Sequence, residues 1–237
     1  MRKFLVGLIV ALQFVYGHAQ VASFTAVVGE ETLALPQPIG FTEPLAALPE
    51  LRKFAELFTG PPHRLLALYV EDSDFQLAMQ GISVRMKRYF LVQALRATEK
   101  KTVSVAEFSH FKSKVRGSRT LVDEKLQGEI QSQLDNIAKK LGENTDSADL
   151  SLKLGETKSL GIFYDEPNAI SELAIGNMAL NTGQARRDSH MLVGMTLANI
   201  KGKLVLFFAY SPLRSAADSE WIRNQTQTWI REATTIN

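Results

Sequence analysis

Three stretches of this chain carry residues that could do chemistry. "RRDSH" (186–190) sets Asp188, Ser189 and His190 side by side. A nucleophile, a base and an orienting acid work as a triad only when their side chains converge, usually from separate loops, and adjacent residues cannot aim at one another in that way. The stretch is therefore expected to be a solvated loop between strands, with Arg186 and Arg187 as candidates for holding an anionic ligand. "YVEDSD" (69–74) places Glu71, Asp72 and Asp74 behind an apolar run. Such oxygen ligands suit calcium, but the fixed ligand alternation and the Gly of a calcium-binding loop are missing. "YDEP" (164–167) adds Asp165 and Glu166, a carboxylate pair that reads more simply as a polar turn than as a general acid and base.

The remaining chemistry is sparse. Beyond the first twenty residues the histidines are His63, His110 and His190. None has a second His or a carboxylate at the i, i+4 spacing that holds a metal on a helix. The chain has no Cys, which removes thiol catalysis, thiolate zinc sites and iron–sulfur ligation. Phosphate loops, nucleophile elbows and dinucleotide fingerprints are also missing from the sequence. No catalytic residue, metal ligand or cofactor is assigned on these grounds, and the ligand-binding residues stay unknown.

The elements that would position any site follow a leader. "MRKFLVGLIVALQFVYGHAQ" opens with Arg2 and Lys3, runs apolar from Phe4 to Val15, and offers small residues at Gly17 and Ala19. This is the pattern of a signal peptide over 1–19, with cleavage after Ala19. The apolar run is too short to span a bilayer comfortably. Losing Arg2 and Lys3 takes the 27 basic residues to 25, against 25 acidic ones. A neutral, mixed surface has no general attraction for nucleic acid or anionic membrane. Export without disulfides points to a periplasmic or secreted protein with no membrane span after cleavage, and residues 20–237 suffice for one domain with a substantial core.

Along that domain, "ETLALPQPIGFTEP" (31–44) reads as an edge hairpin about its Pro and Gly residues. "LPELRKFAELF" (48–58) spaces Leu48, Leu51, Ala55 and Phe58 on one helical face and stops at Gly60-Pro61-Pro62. "RLLALYV" (64–70) and "RYFLVQALR" (88–96) read as strands, with no clear period between them. Ser104 and Glu107 have capping-box spacing. Val105, Phe108, Phe111 and Val115 then make a stripe, continued by Leu126, Ile130, Leu134, Ile137 and Leu141, so helix is expected across 104–141. Extended segments follow at 150–155, 159–167 and 168–180. "HMLVGMTLANIKGKLVLFFAYSP" predicts two strands joined near Gly202. Ser215 and Asp218 start a last helix, with Trp221, Ile222, Trp229 and Ile230 facing inward. The apolar octet Lys203–Tyr210 is expected to be a strand buried on both faces.

This order of elements, with "LALPQPIGF" near the start and "GKLVLFFAYSP…SAADSEWIRNQTQTWI" at the end, resembles small uncharacterised exported bacterial proteins and the PsbP-like α/β/α sandwich. The resemblance implies an α+β fold, with a central, mostly antiparallel sheet covered by helices on both faces. It also implies a non-enzymatic role in binding or assembly, here with a protein partner in the cell envelope. A periplasmic small-ligand carrier is the alternative, using a cleft between sheet and helices. A hydrolase would need His63 or His190 within reach of a Ser and a carboxylate.

Overall fold

A computed structural model of the chain describes residues 23–82, 84, 86–118, 151–181 and 186–237, together with positions 128, 131, 132, 135, 138 and 139. The expected leader and its cleavage site, and most of the stripe from Leu126 to Leu141, lie outside the described residues. Within them the chain is α+β. Seven antiparallel strands form one sheet: β3 (Phe41–Thr42), β4 (His63–Glu71), β5 (Tyr89–Leu95), β6 (Ser151–Glu166), β7 (Ala169–Asn181), β8 (Arg186–Ile200) and β9 (Lys203–Pro212). Their order across the sheet is β3-β4-β5-β9-β8-β7-β6. The last four strands make a meander, and β9 closes it onto β5. Among the described residues, no helix is long and apolar enough to cross a membrane.

The octet sits in β9, the middle strand of seven. Val205, Phe207 and Ala209 are buried on one face, while Leu204, Leu206, Phe208 and Tyr210 are half-buried on the other. Full burial on both faces was expected, so the second face is looser than the sequence suggests. Its hydrophobic run nonetheless has a strand neighbour on each side and cover on each face, which keeps its backbone from other chains. The turn into β9 is made by Lys201 and Gly202, with φ of 51° and 77°. Positive φ at both central residues is what a tight right-twisted hairpin demands.

The tight face of the sheet is covered by α4 (Ala216–Thr235) and by a separate hairpin of β1 (Ser23–Val28) and β2 (Glu31–Pro36). Trp229 is the keystone of this layer. Its ring meets Phe90, Phe207 and Tyr69 edge-on at 4.9, 4.9 and 5.9 Å, and its indole N–H donates to the Pro36 carbonyl at 2.7 Å. Such rings bury large apolar areas and gain further from edge-to-face geometry. Asn237 completes the joint by exchanging two hydrogen bonds with the backbone of Ala34, at 2.9 and 2.8 Å. The hairpin expected at 31–44 is corrected here: β2 pairs backwards with β1, and Phe41–Thr42 joins the edge of the main sheet against β4. Pro36 and Pro38 explain the split, because neither can donate to a ladder between the two segments.

The other face carries α1 (Pro49–Thr59), α2 (Asp72–Met79) and α3 (Val105–Ser118). The capping box at Ser104 forms as expected, with the Glu107 carboxylate accepting from the Ser104 amide at 2.8 Å and the Glu107 amide donating back to Ser104 Oγ at 3.2 Å. The predicted stripe on α3 needs correction. Phe108, Lys112 and Val115 face the sheet, whereas Val105 and Phe111 are 65% and 41% exposed. Lys112 turns inward because Asp165 waits for it there, a partner 53 residues away. The segments 159–167 and 168–180 are both strand, the first being the end of the single sixteen-residue β6.

Candidate functional site

The three stretches that could do chemistry are dispersed by the fold. "RRDSH" lies within β8, paired with the end of β7, so the loop expected there is corrected to strand. Alternation along a strand sends successive side chains to opposite faces, which separates neighbours further. His190 bonds through Nδ1 to the Asn177 side chain across the β7–β8 pair. His63 opens β4, and two strands, β5 and β9, lie between it and β8. At about 4.8 Å per strand the two histidines stand on strands roughly 14 Å apart. His110 is exposed on α3. Among the described residues, no three His, Asp or Glu side chains gather as a metal site.

The carboxylates of "YDEP" are structural. Arg116 grips Asp165 with two parallel bonds, Nε to Oδ2 at 2.6 Å and Nη2 to Oδ1 at 2.8 Å, and the buried Lys112 ammonium adds a third to Oδ1 at 3.0 Å. The Arg116 hydrogen bonds hold the Asp165 carboxyl below the usual range against its partial burial, and Lys112 assists. This fork pins α3 to the β6–β7 turn. A comparable clamp fixes the other layer. Asp218 accepts from the amides of Arg214 and Ser215, both at 3.0 Å, and from Arg88 Nη2 at 3.0 Å. Those amides, the Arg214 one foremost, hold its carboxyl low. The Arg88 guanidinium also lies 4.3 Å from the Trp221 ring centre, a cation–π contact.

"YVEDSD", whose acidic end showed no clear period in the sequence, runs from strand into helix. Glu71 ends β4, and Asp72 and Asp74 occupy the first turn of α2, where carboxylates meet the positive end of the helix dipole. Asp72 accepts from the Thr42 hydroxyl at 2.7 Å. α2 ends in a Schellman turn: the Gly81 amide donates to the Ala78 carbonyl at 2.9 Å and the Ile82 amide to that of Leu77 at 3.0 Å. Gly81 has a φ of 76°, which a side chain would disfavour. This turn swings the chain back beside α1.

The result is a cleft of about 540 Å³. Its floor is Val70 of β4. One wall is the start of α1, with Leu48, Pro49, Glu50 and Leu51. The other is α2, with Asp74, Phe75 and Ala78, and the returning chain at Ile82, Val84 and Met86 closes the end. No residue of α2 is buried, so the cleft is a groove open along that wall. Among the described residues the lining is apolar except for two carboxylates. One of them, Asp74, has its Oδ2 shielded from solvent without a hydrogen-bond partner. Sequence reasoning passed over this region because its apolar residues follow no single period. The Gly81-Ile82 stop after "FQLAM" was the available signal. A second, polar hollow of about 250 Å³ lies by the β6–β7 turn, among Tyr164, Glu166, Asn168, Arg231 and Thr234.

No protein-family model matches the chain, and no curated protein does. Among solved structures it is similar to the Saccharomyces cerevisiae Ran-binding protein Mog1p, with 11% identity over 91% of this chain and 94% of that one, at a TM-score of 0.32. A superposition so loose carries no argument about the cleft.

Proposed function

We propose that this chain is a non-enzymatic binding protein, exported to the cell envelope, whose groove between α1 and α2 docks a protein partner. The observation that carries the reading is that groove: a roughly 540 Å³ apolar trough walled by a helix with no buried residue. Leu77 and Met79 extend the apolar surface beyond the trough, at 39% and 53% exposure, and Ile82 in its lining is 48% exposed. Exposed apolar area gathered at one place marks binding surfaces, because it gains by leaving water. Export rests on the leader at 1–19. The second reading is a small-ligand carrier, favoured by a cleft volume within the range of small-molecule pockets. Its candidate anion holders, Arg186 and Arg187, belong to β8, whereas the groove is built on α1, β4 and α2.

The two readings separate in one experiment. A photo-crosslinking phenylalanine analogue is placed at Met79, beside the groove, or at Thr228, on the exposed side of α4, and cells are irradiated before fractionation. A protein-sized adduct at position 79 and none at 228, on a periplasmic chain trimmed after Ala19, is the expected outcome. A bound molecule of a few hundred daltons in native mass spectra, with no protein adduct, would replace the docking reading with the carrier.

A further inference from the structure

We propose that the partner segment received by the groove is a peptide carrying a Lys or Arg flanked by bulky apolar side chains, with the cation received by Asp74. This rests on the groove as a docking site and names the chemistry of what docks there. Among the described residues, the two charged ones lining the groove, Glu50 and Asp74, are acidic. They are not equivalent. Glu50 is already engaged, accepting from Lys53 Nζ at 2.8 Å. Asp74 is not: its Oδ2 is cut off from solvent and meets no donor. A carboxylate oxygen left without a donor gains most from a charged one, and a basic side chain seated in the groove supplies it once the half-buried Asp74 carboxyl turns toward the trough.

The neighbouring carboxylate shows the contrast. Asp72, two residues earlier in the same helical turn, is solvated and has its Oδ1 met by the Thr42 hydroxyl. Around Asp74 the surface is apolar, with Phe75, Ala78 and Ile82 in the lining and the exposed Leu77 and Met79 beyond. Charge and apolar surface together select the occupant. A fatty acid would bring a second carboxylate against Asp74, and an anionic lipid surface would meet Glu71 and Asp72 as well as the groove's own acids. Like charges at such distances repel. A basic and apolar peptide matches both features.

The test uses the full chain and a random twelve-residue peptide library displayed on phage. Selected peptides are expected to carry Lys or Arg within two positions of Leu, Ile, Phe or Met. Made synthetically with a fluorescent label, they should bind the protein, bind Asp74→Asn at least tenfold more weakly, and lose affinity as salt rises. Ala78→Trp, which fills the groove, should abolish binding, and Gln76→Ala, on the exposed side of α2, should leave it unchanged. Peptides without a basic residue, or with equal affinity for Asp74→Asn, would overturn the cation match while leaving the groove as the docking site if Ala78→Trp still abolishes binding. Binding insensitive to Ala78→Trp would overturn both. Recovery of no peptide, binding to anionic vesicles that Ala78→Trp removes, or a dimer that Ala78→Trp dissolves would each overturn the peptide proposal.

Discussion

Glu43 shows how its surroundings set the charge of a single side chain. It follows β3, with Oε1 shielded and unpartnered. Burial pushes its carboxyl above the ordinary value of 4.5, although the amides of Leu45 and Ala46 and the nearby Arg52 pull the other way. A carboxyl raised in the folded state contributes stability that is complete below its unfolded value and is lost as pH rises through the folded one. At neutral pH, then, Glu43 is a liability. Glu43→Gln keeps an oxygen for the two amides and removes the charge, so its urea midpoint should exceed that of the parent at pH 7.5 and match it near pH 4. An equal gain at both pH values would trace the effect to packing instead. Legibility followed distance along the chain at this level. The Ser104–Glu107 box was readable because its partners are three residues apart. The inward turn of Lys112 was not, because its carboxylate arrives from β6.

Between elements, α4 comes very close to β8 at Gly194. A Cβ on Gly194 would stand 2.8 Å from Thr226 Oγ1 and 2.9 Å from Ile222 Cγ2. Neither atom is at the end of a long flexible chain, so the helix would have to lift. Gly194→Ala should therefore cost about 1–3 kcal/mol in denaturant unfolding, the usual range for overpacking. A cost near zero would mean that α4 rides higher than described. α2 illustrates the opposite situation. It is bounded by β4 and a Schellman turn and has no fully buried residue, so no periodic stripe announced it, and a helix without a stripe is hard to see in a sequence. "RRDSH" misled for a related reason. Polar and charged residues read as a loop, yet the hydrogen-bond register with β7 holds them extended.

Across the molecule, two carboxylate clamps hold the layers to the sheet: Asp165 for α3 and Asp218 for α4. Both carboxyls are depressed. Their contribution is present above the ordinary value of 3.8 and is lost as pH falls through the lower folded values. Acid should therefore loosen both helical layers below about pH 4. Asp165→Asn leaves the buried Lys112 facing a weak neutral acceptor and should cost about 2 kcal/mol. Hydrogen exchange would then be roughly 30-fold faster across 105–118 at pH 6, with 216–235 unchanged. Faster exchange in both helices alike would show that the clamps are not local.

Local pattern alone established strands over 64–70, 88–96 and 203–210, the Ser104–Glu107 capping box and the turn near Gly202, since each depends on residues within a few positions of one another. Tertiary structure decided the pairing of β2 with β1, the inward Lys112, the dispersal of the histidines and the groove beside Asp74. Those depend on which distant segments share a face of the sheet, and the free energy of such meetings is written in no single window of the chain.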